Sequence, residues 1–184
     1  MVRVSRRGLI AGGVALAAVP GGAVRAADAL GGGLGAFARF IGTWRGTGEG
    51  QPGVSTVERT YEAALSGRFI FERNRSTYAP QERNPTGEVH DHVGYFSFDK
   101  ARKRLVLRHF HQEGFVNQFV ATTEAIEDGV LVLNSEAIEN IPAGWRARET
   151  YTFSGDDVFE ELFELAAPGK AFELYSRNRL KRVA

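Results

Sequence analysis

From residue 43 onward the hydrophobic and polar positions fall into ten short segments of strand character, each closed by a turn signal. Thr43–Glu49 stops at Gly50-Gln51-Pro52-Gly53, and Val54–Ala64 turns at Ser66-Gly67. Arg68–Tyr78 runs into a longer loop holding Pro80, Asn84-Pro85 and Gly87. Glu88–Phe98 and Lys103–Gln112 flank Asp99-Lys100-Ala101-Arg102; Phe115–Ala125 follows Gly114 and turns at Glu127-Asp128-Gly129. Val130–Glu139, Trp145–Phe153, Val158–Ala166 and Phe172–Lys181 complete the series, separated by turns rich in Gly, Pro, Asn and Asp. Ahead of them Leu34, Phe37, Phe40 and Ile41 recur at helical spacing and Gly42 stops the run, which predicts one short amphipathic helix. Ten strands joined by short loops predict an all-β, up-and-down antiparallel barrel, with the helix capping one end, because closure removes both sheet edges. A two-sheet sandwich would need longer crossovers than most of these loops provide.

The alternation is not clean in every strand. Arg68–Tyr78 puts Phe69 and Phe71 on the same face as Arg73 and Arg75, and Trp145–Phe153 sets Ala147, Tyr151 and Phe153 against Arg146 and Arg148. A fully packed barrel shows a stricter period of two. The mixture predicts an internal cavity or a wide, wet mouth.

The segment before the helix changes the picture of where the protein works. Ser5-Arg6-Arg7-Gly8-Leu9-Ile10 leads an apolar, small-residue run to Val19, and Val24-Arg25-Ala26 offers small residues for cleavage after Ala26. This predicts a twin-arginine-type signal peptide over 1–26, a flexible Gly-rich tether over 27–36, and a barrel domain over 37–184 that is periplasmic or secreted. The run is too short to span a bilayer comfortably, so no membrane insertion is expected once the signal is removed. Four of the 23 basic residues lie in this leader, leaving 19 against 22 acidic residues, net −3, in the remainder. No basic footprint for nucleic acid results. The chain has no cysteine, which excludes disulfides, thiolate metal sites and a cysteine nucleophile.

Phe37–Gly50, FARFIGTWRGTGEG, resembles the opening of the nitrobindin-like haem-binding β-barrels, relatives of the fatty-acid-binding proteins within the calycin group. The shared residues are Gly42, Thr43, Trp44 and Gly46, where a short helix enters the first strand. The resemblance implies a ten-stranded calycin barrel over about Leu34 to Arg182, Trp44 packed across its closed end, and haem as the ligand. It also implies an iron-binding histidine near the last strand. The four histidines here are His90, His92, His109 and His111, and only Tyr175 in the last strand has the chemistry of an axial ligand.

The histidines lie in pairs on consecutive strands, each pair on one face. If Phe98 pairs with Lys103, His92 faces His109, His90 faces His111, and all four rings form one patch with opposed Cβ atoms about 5 Å apart. One more residue in the turn puts the two pairs on opposite faces. An aligned patch suits zinc, copper or non-haem iron, with Glu113 as an added carboxylate; it equally suits a polar lining or a ligand-facing role. Asp91 points away from its histidine neighbours. His111, beside Glu113 and Phe115, is the preferred haem or metal ligand. Arg146 and Arg148, and the run Arg73-Asn74-Arg75, offer forks for a carboxylate or phosphate, and Arg177 beside Tyr175 one for a carboxylate, unless the arginines pair outward with Glu160, Glu161 and Glu164. No nucleophile elbow, phosphate-binding loop or dinucleotide fingerprint is present. The sequence therefore predicts an exported barrel that binds a small, largely apolar ligand, haem or another tetrapyrrole being the leading choice. The alternative is a metal-dependent enzyme built on the histidine patch.

Overall fold

The computed structural model describes residues 30–183. The expected signal peptide and most of the tether lie outside them. A 3₁₀ helix over Leu34–Phe40 leads into β1 (Gly42–Gly50), β2 (Gly53–Ala64), β3 (Phe69–Tyr78), β4 (Glu88–Asp99) and β5 (Arg104–His111). The chain continues through β6 (Val116–Ala121), β7 (Val130–Glu139), β8 (Arg146–Phe153), β9 (Val158–Ala166) and β10 (Glu173–Arg182). Each strand pairs antiparallel with its sequence neighbours, and β1 also pairs with β10, from Trp44 opposite Arg182 to Gly50 opposite Ser176. The sheet is a closed ten-stranded barrel rather than a sandwich. No helix among the described residues is long and apolar enough to cross a membrane.

The helix is 3₁₀ rather than α because its apolar residues, Leu34, Phe37 and Phe40, recur every third position. A threefold repeat puts them on one edge, and all three are fully buried. They plug one end of the barrel. The Phe40 ring lies 5.1–5.3 Å from those of Tyr61, Phe96, Tyr151 and Phe153, which come from β2, β4 and β8. Trp44 sits beside this plug, as its motif implies. Its indole Nε1 donates to the Phe40 carbonyl at 2.8 Å, its ring packs edge-on against Phe159 at 4.7 Å, and the Arg182 guanidinium covers it at 4.2 Å. Gly46 explains the second glycine of the motif: a Cβ there would stand 1.9 Å from the Arg179 carbonyl oxygen of β10. Barrel closure depends on that bare backbone.

The face of β3 carrying Phe69, Phe71, Arg73 and Arg75 is the outside of the barrel. There Arg73 lies over Phe71 at 5.3 Å and Arg75 forks onto Asp91 at 2.7 and 2.9 Å. The inner face of β3 is Ile70, Glu72, Asn74 and Ser76, all buried. The mixed lining expected from the sequence is thus present, carried by different residues. Several predicted strands begin a residue later than expected, and β5 and β6 also end sooner. Lys103 takes a left-handed conformation (φ 52°) and belongs to the turn, and a register shift between Gln118 and Phe119 accompanies the short β6.

Candidate functional site

The turn before β5 decides the histidine register. The Asp99 carboxylate accepts from the amides of Ala101 and Arg102 at 3.0 and 3.1 Å and from Arg102 Nε at 2.7 Å. With Lys103 left-handed, Asp99 pairs with Arg104. This slips the pairing by two residues from the one expected, so His92 faces His111 rather than His109, and His109 faces Gly94. A slip of two keeps every side chain on its face. All four imidazoles therefore point inward. Ring centroids are 4.6 Å apart for His92 and His109, 5.1 Å for His92 and His111, and 5.6 Å for His90 and His111. The alternative with two pairs on opposite faces is excluded. Gly94 makes room for the ring opposite: a Cβ there would lie 2.7 Å from His109 Cδ2 and 3.1 Å from Glu72 Oε2.

Beneath the histidines a belt of charged side chains crosses the barrel. Arg59 on β2 is 1% exposed; its Nη2 meets Glu161 Oε2 at 2.8 Å, its Nε lies 3.4 Å from Glu72 Oε1, and Nε donates to Asn74 Oδ1 at 2.9 Å. Asn178 donates to Glu161 at 2.8 Å and Tyr151 to Glu149 at 2.9 Å. His109 is held at both ring nitrogens, Nε2 by Glu72 Oε2 at 3.0 Å and Nδ1 by Glu149 Oε1 at 3.2 Å. Burial pushes the His109 pKa down, but Glu149 and then Glu72 outweigh it and raise it to about 10. Burial would raise Glu72, yet His109 and Arg59 hold it well below the usual carboxylate range. Glu149 is pushed up by burial against the pull of His109, and is the last carboxyl of the belt to ionise. Arg59 and His109 are thus paired with the carboxyls of Glu72, Glu149 and Glu161, which is how buried charges are tolerated.

His92 and His111 stay neutral. Burial, then the charge of His109, lowers His92 to about 4; burial, then His92 and His109, lowers His111 to about 2. Glu72 Oε1 accepts from His92 Nε2 at 3.3 Å, leaving His92 Nδ1 buried without a hydrogen-bond partner. Glu113 Oε1 accepts from His90 Nδ1 at 2.8 Å. His111 stacks on Phe115 at 4.1 Å and 18°, with its Nε2 3.3 Å from the Asn117 amide nitrogen and its Nδ1 3.5 Å from His90 Nε2.

Above the belt the barrel opens into a cavity of about 590 Å³, within the usual range for small-molecule sites. Its floor is polar, with Arg59, Asn74, Asn117, Glu149, Glu161 and Asn178. Its upper walls are largely apolar, with Phe115, Ile138, Ile141, Trp145, Phe163 and Leu165. His90 and His92 line one side and Tyr175 lines another, from strands four places apart round the barrel. The Tyr175 ring packs edge-on against Phe163 at 5.8 Å; burial, then Glu88 and Glu113, raise its phenol.

Of the residues singled out from the sequence, His90, His92 and Tyr175 line this cavity, His111 lies beside it under Phe115, and His109 belongs to the buried belt. Arg146, Arg148 and Arg177 are on the outer surface. Arg148 forks onto Glu164 with two contacts of 2.7 Å, both Arg146 and Arg148 lie over the Phe172 ring, and Arg177 is 3.7 Å from Glu160. Glu161, expected to pair outward, turns inward to Arg59. Arg59, Glu72 and Glu149 are inward residues that do not stand out by type in the sequence, and Glu161 joins them. Strand parity marks each of them: Arg59 shares a face with Val57 and Tyr61, Glu72 with Ile70, Glu149 with Ala147 and Tyr151, and Glu161 with Phe159.

Among solved structures, the chain is similar to Rv2717c from M. tuberculosis, with a TM-score of 0.66 at 19% identity over 84% of this chain and 99% of that one. A redesigned β-barrel is similar in outline only, with a TM-score of 0.44 at 10% identity over 87% of this chain and 96% of that one. No curated protein sequence matches the chain. Residues 33–182 match the family model described as "THAP4-like, heme-binding beta-barrel domain", and the chain belongs to that family of ligand-binding barrels.

Proposed function

We propose that the protein binds haem, or another flat tetrapyrrole, in the cavity at the open end of the barrel. The observation that carries this reading is a cavity of about 590 Å³ with apolar upper walls and iron-ligating side chains on separated strands. The apolar walls suit a macrocycle, and the family description names haem. Tyr175 is the axial donor this chain offers on β10. It enters the cavity from the last strand, on the side away from His90 and His92. The imidazole preferred from the sequence, His111, is shielded by Phe115. A bound haem iron supplies a site for one further small ligand or for one-electron chemistry. The paired arginines before the apolar leader support action outside the cytoplasm.

The test is titration of hemin into the chelator-treated protein, followed in the Soret region. Wild type should take up one equivalent, and Tyr175→Phe, which removes one oxygen, should shift the Soret maximum and weaken uptake. Absence of stoichiometric uptake by wild type overturns haem as the ligand. Unchanged spectra and affinity in Tyr175→Phe overturn the tyrosine's role.

A further inference from the structure

We infer that His90, His92 and His111 form a three-imidazole site for a divalent transition metal of the zinc type, set in the cavity wall. One ring nitrogen from each lies within 4.8 Å of the others. The arrangement does not depend on the haem reading and is built from different residues than its tyrosine donor.

The hydrogen bonds around the three rings sort their nitrogens into an outer and an inner set. The outer nitrogens are fixed: His90 Nδ1 by Glu113, His92 Nε2 by Glu72, and His111 Nε2 by the Asn117 amide. A half-turn of that amide lets its oxygen accept from His111 Nε2–H, the two amide orientations being alike in shape. The inner nitrogens are then His90 Nε2, His92 Nδ1 and His111 Nδ1, each presenting a lone pair. His92 Nδ1 is buried and has no hydrogen-bond partner. Buried polar atoms are rarely left so, because desolvation is uncompensated, and a cation supplies the missing partner. His90 Nε2 and His111 Nδ1 are 3.5 Å apart, close to the ~3.3 Å edge of a tetrahedron with zinc–nitrogen bonds of about 2.0–2.1 Å.

The outer partners are what such a site needs. Carboxylates that accept the second N–H of a ligating histidine fix its tautomer and raise its basicity, and Glu72 and Glu113 stand in those places. The neighbouring trio of Glu72, His92 and His109 also brings ligand atoms within 4.8 Å, but both His109 nitrogens are already engaged by carboxylates. Three imidazoles with a fourth position facing a cavity is the ligand set of catalytic rather than structural zinc, which is usually closed by four protein ligands. His90 and His92 line the cavity, so that fourth position is open to water or to whatever the cavity holds.

The experiment uses the full chain, stripped with a chelator. Zinc is titrated by calorimetry, and cobalt(II) is titrated by its visible absorption, which reports coordination number. One equivalent of each should bind, with the intense bands of four-coordinate cobalt. His92→Gln and His111→Gln should each weaken zinc binding at least tenfold. Glu113→Gln, at an exposed position that threatens the fold least, should weaken it about 10- to 100-fold, with circular dichroism unchanged. His90→Ala, also near the surface, serves as the second ligand variant should either buried one fail to fold. No stoichiometric zinc in wild type, or equal affinity in His90→Ala and Glu113→Gln, overturns the site. Zinc has no Soret band, so this failure is separable from failure of haem uptake. Tyr175→Phe should keep full zinc affinity, and its loss there would contradict the ligand set.

Discussion

At the scale of single residues, the most consequential feature is His109 clamped between Glu72 and Glu149. Its pKa in the folded protein is about 10, whereas an unfolded histidine titrates near 6.5. A base whose pKa rises on folding contributes stability that is complete below the unfolded value and is lost as pH climbs through the folded one. His92 and His111 have the opposite sign, with folded values of about 4 and about 2; their contribution is lost as pH falls from about 6.5 towards those values. The buried tyrosines Tyr61 and Tyr151, raised by burial, act only above about 10, the ordinary phenol value. Between about pH 7.5 and 9, where an unfolded histidine is already mostly neutral, the slope is therefore set by His109. Urea unfolding in chelator should show stability falling across that window, by an amount on the order of 1 kcal/mol per unit. A flat or rising profile there would show that His109 is not protonated in the fold.

At the scale of elements, strand positions were legible in the sequence because turn residues and β-branched or aromatic runs are local signals. All ten strands appear where the pattern puts them, within a few residues, and the threefold repeat of Leu34, Phe37 and Phe40 marks the plug. Pairing register was not legible. It hangs on one carboxylate, Asp99, capping two turn amides, and on a left-handed Lys103. The site was half legible for the same reason. Imidazoles are conspicuous by type, whereas Arg59, Glu72, Glu149 and Glu161 look like surface residues until parity places them inside. The Gly-Thr-Trp-x-Gly entry to β1 is the element whose role sequence and structure agree on most fully. Trp44 joins plug to barrel through Phe40, Phe159 and Arg182. Trp44→Ala should cost about 3–5 kcal/mol, a fall in Tm on the order of 10 °C for a domain of this size. Hemin uptake below the melting range should survive, since Trp44 does not line the cavity. Uptake lost with Tm unchanged would assign the indole to the ligand instead.

At the scale of the whole molecule, the barrel is divided along its axis into an aromatic plug, a belt of paired charges and an open cavity. The belt fixes the floor of the cavity, because its ion pairs tie β2 to β3 and β9 and, through His109, β5 to β8, while the Asn178–Glu161 hydrogen bond ties β10 to β9. Ligand chemistry is thereby confined to the open end, where Tyr175 is faced by Tyr78 of β3, Glu88 of β4, Phe163 of β9 and Glu113 of the loop after β5. Burial and the two carboxylates keep its phenol protonated at neutral pH. An iron ligand must be deprotonated, so metal affinity through such a group depends on pH. Hemin binding through Tyr175 releases that proton and should tighten about tenfold for each unit of pH below the phenol pKa. Binding through His92 or His111, already neutral well below pH 6, releases none and should be level between pH 6 and 8. Hemin titrations of wild type across that range distinguish the two walls of the cavity: a rising affinity that vanishes in Tyr175→Phe assigns the iron to β10, and a level affinity with an intact Soret band assigns it to the imidazoles of β4 and β5.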